Sequence, residues 1–311
     1  MTTLLDAVRR HAEAHAAESG LAQTPIAGLT TVRATAPSGL IHAISRPMVC
    51  LVLQGAKRVT MGAQSFDFAA GDSLLITADV PTVSQITRAS VAAPYFSLVL
   101  ELDPVVVTDL AVQMKAVLVG SRAPVRVDPT DMEVAETALR LMRLLDRPAA
   151  AALLGAPLLR EMHYWLLAGR HGTAIRHLGW PDSQARGLAR AIAHLRAEFA
   201  RPLPVEDLAA MAGMSRSAFH AHFRAATSLS PRQFQKQLRL IEARRQMLSE
   251  AVTASSAAFA VGYESVPQFT RDYGRLFGLP PVRDVLAARS EMAMADRRAG
   301  RRDPTVAGVR K

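Results

Sequence analysis

The sequence predicts a multidomain α+β chain: an N-terminal antiparallel β-barrel or jelly roll, a helical stretch behind it, and an all-α C-terminal domain. Three observations carry this reading. Between Ile26 and Leu102 short β-rich runs are cut by turn residues at close spacing, whereas from about residue 104 the apolar residues recur at helical period. The 311 residues amount to about two domains, and half of them are hydrophobic, so a sizeable core is affordable. Charge is unevenly placed: residues 1–180 hold 16 basic and 15 acidic side chains, residues 181–311 hold 21 and 12. The formal +10 therefore sits almost wholly in the C-terminal part, which becomes the candidate binder of a polyanion.

Taken in order, residues 3–18 read as a short amphipathic helix, with Leu4, Leu5, Val8 and Ala12 on one face of an N-terminal arm of about 25 residues. The barrel spans 26–103. Its strand candidates are Met48–Gln54, Lys57–Met61, Ser65–Phe68, Ser73–Thr77, Val83–Thr87 and Tyr95–Leu100, punctuated by Gly55, Gly62, Gly71-Asp72, Pro81 and Pro94. Helices are expected at about 104–118, 130–146 and 150–168, the second with Met132, Ala135, Leu139, Met142 and Leu145 aligned, so that 104–170 forms a helical element. Residues 171–182, with Gly172, Gly179 and Pro181, coincide with the charge step and read as a linker. From 183 to 289 the chain is helical with short turns; 290–311, with Arg297, Arg298, Arg301 and Arg302, reads as a basic flexible tail.

Composition also excludes. The single cysteine, Cys50, rules out an intramolecular disulfide and a zinc site built of several thiolates, and suits a reducing compartment. Asp6, Arg9, Arg10 and Glu13 interrupt what would be the apolar stretch of a secretory signal. Pro148–Leu159 is too short to span a bilayer, so a soluble cytoplasmic protein without a membrane partner is expected. A metal-dependent barrel enzyme needs clustered histidines and carboxylates, and between Ile26 and Leu102 the only histidine is His42. The expectation is a non-enzyme with no cofactor and no metal.

The C-terminal part contains an internal repeat. Ser215, Phe219, Phe223, Leu229 and Pro231 match Ser265, Phe269, Tyr273, Leu279 and Pro281 at an offset of 50 residues, and Leu208, Ala209 and Gly213 match Ala257, Ala258 and Gly262 at 49. Each copy reads as a helix, a glycine turn, a capping serine and a second helix, which is a helix-turn-helix. In the first copy Val205, Leu208, Ala209 and Ala212 form an apolar stripe, Gly213 permits a left-handed turn, and Phe219 and Phe223 face inward. The opposite face, Arg216, Ser217, His220, Ala221 and Arg224, is then free to meet DNA, with His222 left to packing or phosphate. Val266, Pro267, Gln268, Thr270, Arg271 and Arg275 are the counterparts in the second copy. Between the copies Pro231 opens an apolar-striped segment, with Phe234, Leu238, Ile241 and Leu248, of about 19 residues. As a helix it would span about 28 Å, near the ~34 Å between successive major grooves on one face of DNA.

On these residues, residues 184–288 resemble the double helix-turn-helix domain of the AraC/XylS family of bacterial transcription regulators, through the strings LAAMAGMSRSAFHAHFRAATSLSPRQFQKQLRLIEARRQML and VGYESVPQFTRDYGRLFGLPP. Residues 25–180, with VCLVLQGAKRVTMG, YFSLVL and LLREMHYWLLAGRHG, resemble the cupin-like effector domain of one AraC branch. The resemblance implies base-reading positions at Arg216, Ser217, His220 and Ala221, then at Val266, Gln268, Thr270 and Arg271. Ala221 stands where relatives often carry Arg, and Ser228 replaces the usual Gly before Leu229-Ser230-Pro231.

Within the barrel, Cys50 is either an inert core thiol or a reactive group lining the interior, its pKa open to influence from Lys57 and Arg58. Gln54, Lys57 and Arg58, near a strand end, are candidate contacts for an anionic or carbonyl effector. The function expected is a sequence-specific regulator controlled by a small effector in the barrel. It would dimerise through 104–170, bind double-stranded promoter DNA and touch RNA polymerase. The alternative from another class is a constitutive architectural DNA-binding protein whose barrel serves only to dimerise.

Overall fold

The computed structural model describes residues 2–17, 19–62, 64–115, 124–179 and 183–300, and the backbone alone at 177–179, 183–186 and 291–300. Helix α1 (Leu4–His15) starts at a capping box in which the Thr3 hydroxyl accepts from the Asp6 N–H and the Asp6 carboxylate from the Thr3 N–H. It buries Ala7, Val8 and Ala12. The strands β1 (Leu21–Gln23), β2 (Leu29–Ala34), β3 (Ile41–Ser45), β4 (Met48–Gln54), β5 (Ala56–Met61), β6 (Gln64–Ala69), β7 (Asp72–Ile76), β8 (Val80–Arg88) and β9 (Tyr95–Glu101) follow. Helix α2 (Pro104–Gln113) comes next, then β10 (Val125–Pro129). Antiparallel pairing arranges them as β1-β2-β9-β4-β7-β10 in one sheet and β3-β8-β5-β6 in the other.

The period-2 alternation of the larger sheet makes two cores. Cys50, Val52, Leu74, Ile76 and Tyr95 meet Val59, Met61, Phe68, Val80 and Ile86 of the smaller sheet. Their strand neighbours Val49, Leu51, Leu75, Phe96 and Leu98 face α1, α2 and the helices α3 (Met132–Leu144), α4 (Pro148–Ala168) and α5 (Gly172–Gly179). The unbroken apolar run of β4 is thus a strand covered on both sides.

Three expectations about this half are corrected. Residues 104–170 are not wholly helical, because β10 closes the edge of the larger sheet by pairing Val125–Pro129 with Ile76–Asp72. On α3 the buried stripe is Val134, Ala138, Leu141 and Met142, whereas Met132, at the first turn, is exposed. Residues 171–182 are not a loose linker over their length: α5 buries Ala174 and Ile175 in the helical core, and residues 180–182 lie outside those described. Gly172 is there for space and not for flexibility, since a Cβ would stand 2.0 Å from the Leu167 carbonyl oxygen. His171, buried, places Nε2 2.7 Å from the Ser73 hydroxyl and Nδ1 3.3 Å from Asp128, holding the start of α5 against β7 and β10.

Beyond lie α6 (Ser183–Ala197), α7 (Val205–Ala212), α8 (Arg216–Thr227), α9 (Pro231–Ser249), α10 (Ala254–Ala260), α11 (Val266–Phe277) and α12 (Pro281–Gly300). The basic tail expected from residue 290 is helical as far as Gly300; Arg301 and Arg302 lie outside the described residues. The chain divides into two compact units, Met1–Ile192 with Ala209–Ser230, and Ala193–Leu208 with Pro231 onward. The charge step near residue 181 therefore does not mark the division: α8 belongs with the barrel unit, where it packs against β8. In the second unit Leu240, Ala243 and Met247 of α9 enclose a core with Ala257, Ala258, Val261, Phe269, Tyr273 and Val285. The deepest positions of α9 are thus offset from the expected Leu238 and Ile241, which are half-buried.

Candidate nucleic-acid interface

The first copy of the repeat folds as its punctuation dictates. Gly213 takes φ +67, and the Met214 N–H donates to the Ala209 carbonyl across the turn. The Ser215 hydroxyl, 3.3 Å from the Ala218 N–H, caps α8. Phe219 and Phe223 are fully buried with ring centroids 5.5 Å apart. Their burial turns the other face outward: Arg216, Ser217, Ala221 and Arg224 are exposed and His220 is half-exposed, while His222 is half-buried beside Phe223 in sequence. Ser228, the departure from glycine, ends α8 in the left-handed conformation at φ 63.

Helix α11 repeats the plan. Ser265 caps it through the Gln268 N–H at 3.4 Å, Phe269 and Tyr273 are buried, and Gly278 ends it at φ +82. Gln268, Arg271 and Arg275 are exposed, Arg275 standing 3.9 Å from Asp272. Two of the expected outward residues are less so. Val266 is half-buried against the core of its unit, and the Thr270 hydroxyl is turned back onto the Val266 carbonyl at 2.9 Å.

Ion pairs to two buried carboxylates, which the sequence reading did not pick out, fix α11 in place. Asp272 accepts from Lys236 of α9 at 3.3 Å and from the Tyr263 hydroxyl at 3.4 Å. Asp284 of α12 accepts from Arg244 at 2.7 Å and from the Tyr273 hydroxyl at 2.7 Å. Burial, with these carboxylates beside them, pushes both tyrosines well above the ordinary phenol range. Arg239 donates to the carbonyls of Phe199, Gly262, Ala200 and Arg201 at 2.8–3.2 Å, tying the chain after α6 to the glycine turn between α10 and α11. The available signal was Asp272 between Phe269 and Tyr273: a carboxylate on an inward face requires partners.

The four barrel candidates are not brought together. Cys50 is fully buried between the sheets, with Sγ 4.0 Å from the Tyr95 hydroxyl. Lys57 is half-buried and lies on the face of β5 that carries Val59 and Met61, so it borders the same interior. Arg58, one residue on, points the other way and pairs with Asp67 through Nε at 2.7 Å and Nη2 at 2.9 Å on the exposed surface. Gln54 follows a register shift in β4; its amide donates to the Pro94 carbonyl at 2.7 Å and accepts from Arg9 of α1 at 3.4 Å. Arg58 and Gln54 are thereby engaged elsewhere, and of the expected set Cys50 and Lys57 alone face the interior. A one-residue step on a strand reverses the side, which residue type alone does not reveal.

Two family models match the chain: the AraC-type transcriptional regulator N-terminus over residues 25–174 and a helix-turn-helix domain over residues 208–283. This chain belongs to the AraC family of transcription regulators. Its helix-turn-helix part is therefore a DNA-binding domain, and the family is one of regulators and not of enzymes. The AraC-family chain is 31% identical over 161 residues to a putative AraC-like transcription regulator of Streptomyces lividans, covering 49% of this chain and 53% of that one. It is 29% identical over 94 residues to the regulator GbdR of Pseudomonas aeruginosa, covering 30% of this chain and 26% of GbdR. The match thus spans from a quarter to about half the length of these relatives. Among solved structures, apo ToxT of Vibrio cholerae superposes with a TM-score of 0.58 at 9% identity, over 85% of this chain and 99% of ToxT. Wild-type ToxT with a bound unsaturated fatty acid gives 0.56 at 10%, over 83% and 93%. At that identity the likeness is one of fold. Among the described residues no helix is long and apolar enough to cross a membrane.

Proposed function

We propose that this AraC-family regulator reads promoter DNA with α8 and α11 and is controlled by a small molecule held between the sheets of its barrel. The observation that carries the first part is the outward face of each capped helix: Arg216, Ser217, His220, Ala221 and Arg224 on α8, Gln268, Arg271 and Arg275 on α11, with the aromatic rings buried behind. Effector control is supported by the packing of α8 with β8 in one compact unit, which gives a ligand in the barrel a direct route to a reading helix. An apolar interior bordered by Lys57 suits a small, mostly apolar anion. Dimerisation is supported by apolar side chains that a single chain leaves exposed on α2 and α4: Val105 at 76%, Val112 at 63% and Leu153 at 77%. RNA polymerase is the further partner such a regulator meets at its promoter.

Operator binding by Arg271→Ala tests the reading. Loss of a bidentate base contact costs about 1–3 kcal/mol and relaxes preference at one base pair, whereas wild-type affinity falls steeply with salt. An unchanged footprint and affinity in the variant would remove Arg271 from the reading head. Promoter occupancy indifferent to every ligand that stabilises the barrel would favour the constitutive alternative.

A further inference from the structure

Beneath α1, one end of the larger sheet carries two guanidinium groups that no carboxylate matches among the described residues. Antiparallel pairing sets Phe96 of β9 directly opposite Arg33 of β2 on one side and Gln54 of β4 on the other. Leu29, Thr31 and Arg33 alternate along β2 with residues that face the smaller sheet. Arg33 therefore stands on the side covered by α1, where Leu29 joins the helical core and Thr31 meets His11. Phe96 is fully buried on that same side, and directly opposite residues on one face hold their Cβ atoms about 4.5–5.5 Å apart. From above, Arg9 of α1 lays its guanidinium over the Phe96 ring, with Cζ 5.6 Å from the centroid. Arg9 also donates from Nη2 to the Gln54 Oε1 at a long 3.4 Å, and Gln54 is fixed by its own bond to the Pro94 carbonyl at 2.7 Å. Arg33 makes no side-chain hydrogen bond or ion pair among the described residues, and its Nε is closed off from solvent without an acceptor. Of the acids on α1, Asp6 is committed to the Thr3 cap and Glu13 is exposed.

We propose that Arg9 and Arg33 form a clamp for a compact oxyanion, the carboxylate or phosphate group of a small metabolite, at the end of the larger sheet beneath α1. A buried N–H without an acceptor is costly, and two cations bordering one ring repel each other; a single acceptor anion relieves both. The guanidinium presents its donors as a planar fork that matches the paired oxygens of either group. Arg9 is held for this by the Phe96 face and by Gln54, which acts as a positioning residue. Arg33 adds a desolvated Nε, and a charge-assisted bond is stronger there than in water. The clamp lies on the opposite face of the larger sheet from the interior bordered by Lys57, so it is separate from the effector site proposed above. One ligand joining α1 to β2 makes the seating of the N-terminal helix depend on the concentration of the anion.

The test is calorimetric titration of the tag-free full chain with sodium phosphate and, separately, sodium succinate, against sodium chloride at equal ionic strength. At least one of the two oxyanions binds and raises the melting temperature, chloride does neither, and the one that binds identifies the group recognised. Arg33→Met weakens that binding at least about tenfold, the loss expected for one charge-assisted hydrogen bond. Because it removes an unpaired cation, this variant does not lower the melting temperature of the ligand-free chain. Arg33→Lys keeps the charge without the fork and recovers only part of the affinity. Absence of binding at millimolar phosphate and succinate, or equal affinity in wild type and in the Arg9→Gln/Arg33→Gln double variant, overturns the clamp. Loss of binding in Lys57→Gln with the arginine variants unaffected would place the anion between the sheets and overturn it equally.

Discussion

Replacement of Gly262 by alanine isolates one close approach on which the second helix-turn-helix depends. Gly262 sits at φ +87, and a Cβ there would stand 1.9 Å from the Ala200 carbonyl oxygen and 3.1 Å from the Arg239 guanidinium. Gly278, at φ +82, has nothing within 4 Å of the same added atom. Both substitutions incur the left-handed penalty of about 1–2 kcal/mol, but only Gly262→Ala must push a backbone carbonyl away. That displacement breaks the 3.1 Å bond from Arg239 to the Ala200 carbonyl, and a hydrogen bond from a charged donor contributes about 1.5–3 kcal/mol. The expected cost is about 2.5–5 kcal/mol for Gly262→Ala against about 1–2 kcal/mol for Gly278→Ala. Neither tryptophan, Trp165 nor Trp180, lies in this unit, so the measurement is hydrogen exchange of the amides of α10 and α11 in the full chain. Equal loss of protection in the two variants would refute the argument from the Ala200 contact and leave backbone conformation as the whole effect.

Three other outcomes are expected. Ser228→Gly removes left-handed strain at the end of α8 and, after the entropic cost of glycine, stabilises by about 0.5–1 kcal/mol in urea unfolding. On the proposed dimerisation, Leu153→Asp, on the exposed side of α4, shifts the light-scattering mass from dimer to monomer and lowers the melting temperature only by the stabilisation that association supplied. Buried His163 donates from Nδ1 to the Leu159 carbonyl and accepts the Asp103 N–H at Nε2. Burial holds its pKa below the ordinary 6.5. Its contribution is thus complete above about pH 6.5 and is lost as pH falls through the lowered value. Melting temperature should fall as the pH drops below about 6.5, and His163→Gln should flatten that slope.

Much of the DNA-binding half was legible because its signals are local. A capping serine, a glycine at positive φ and aromatics four apart specify a turn and two helix faces within some twenty residues, and α8 and α11 follow them. The strands of the barrel were legible for the same reason, as runs between turn residues. What stayed hidden depends on partners distant in sequence. The pairing of β10 with β7 joins segments about fifty residues apart, and α5 is held in its core through His171 and Ser73, 98 residues apart. Lys57 and Arg58 are adjacent cations in the sequence, yet the pleat sends one toward the interior and the other to Asp67. The grouping of α8 with the barrel runs across the boundary that charge marked. Local propensity and periodicity determine which residues share a face; only the closing of the chain on itself decides what that face meets, because burial and pairing are set by groups brought together in space.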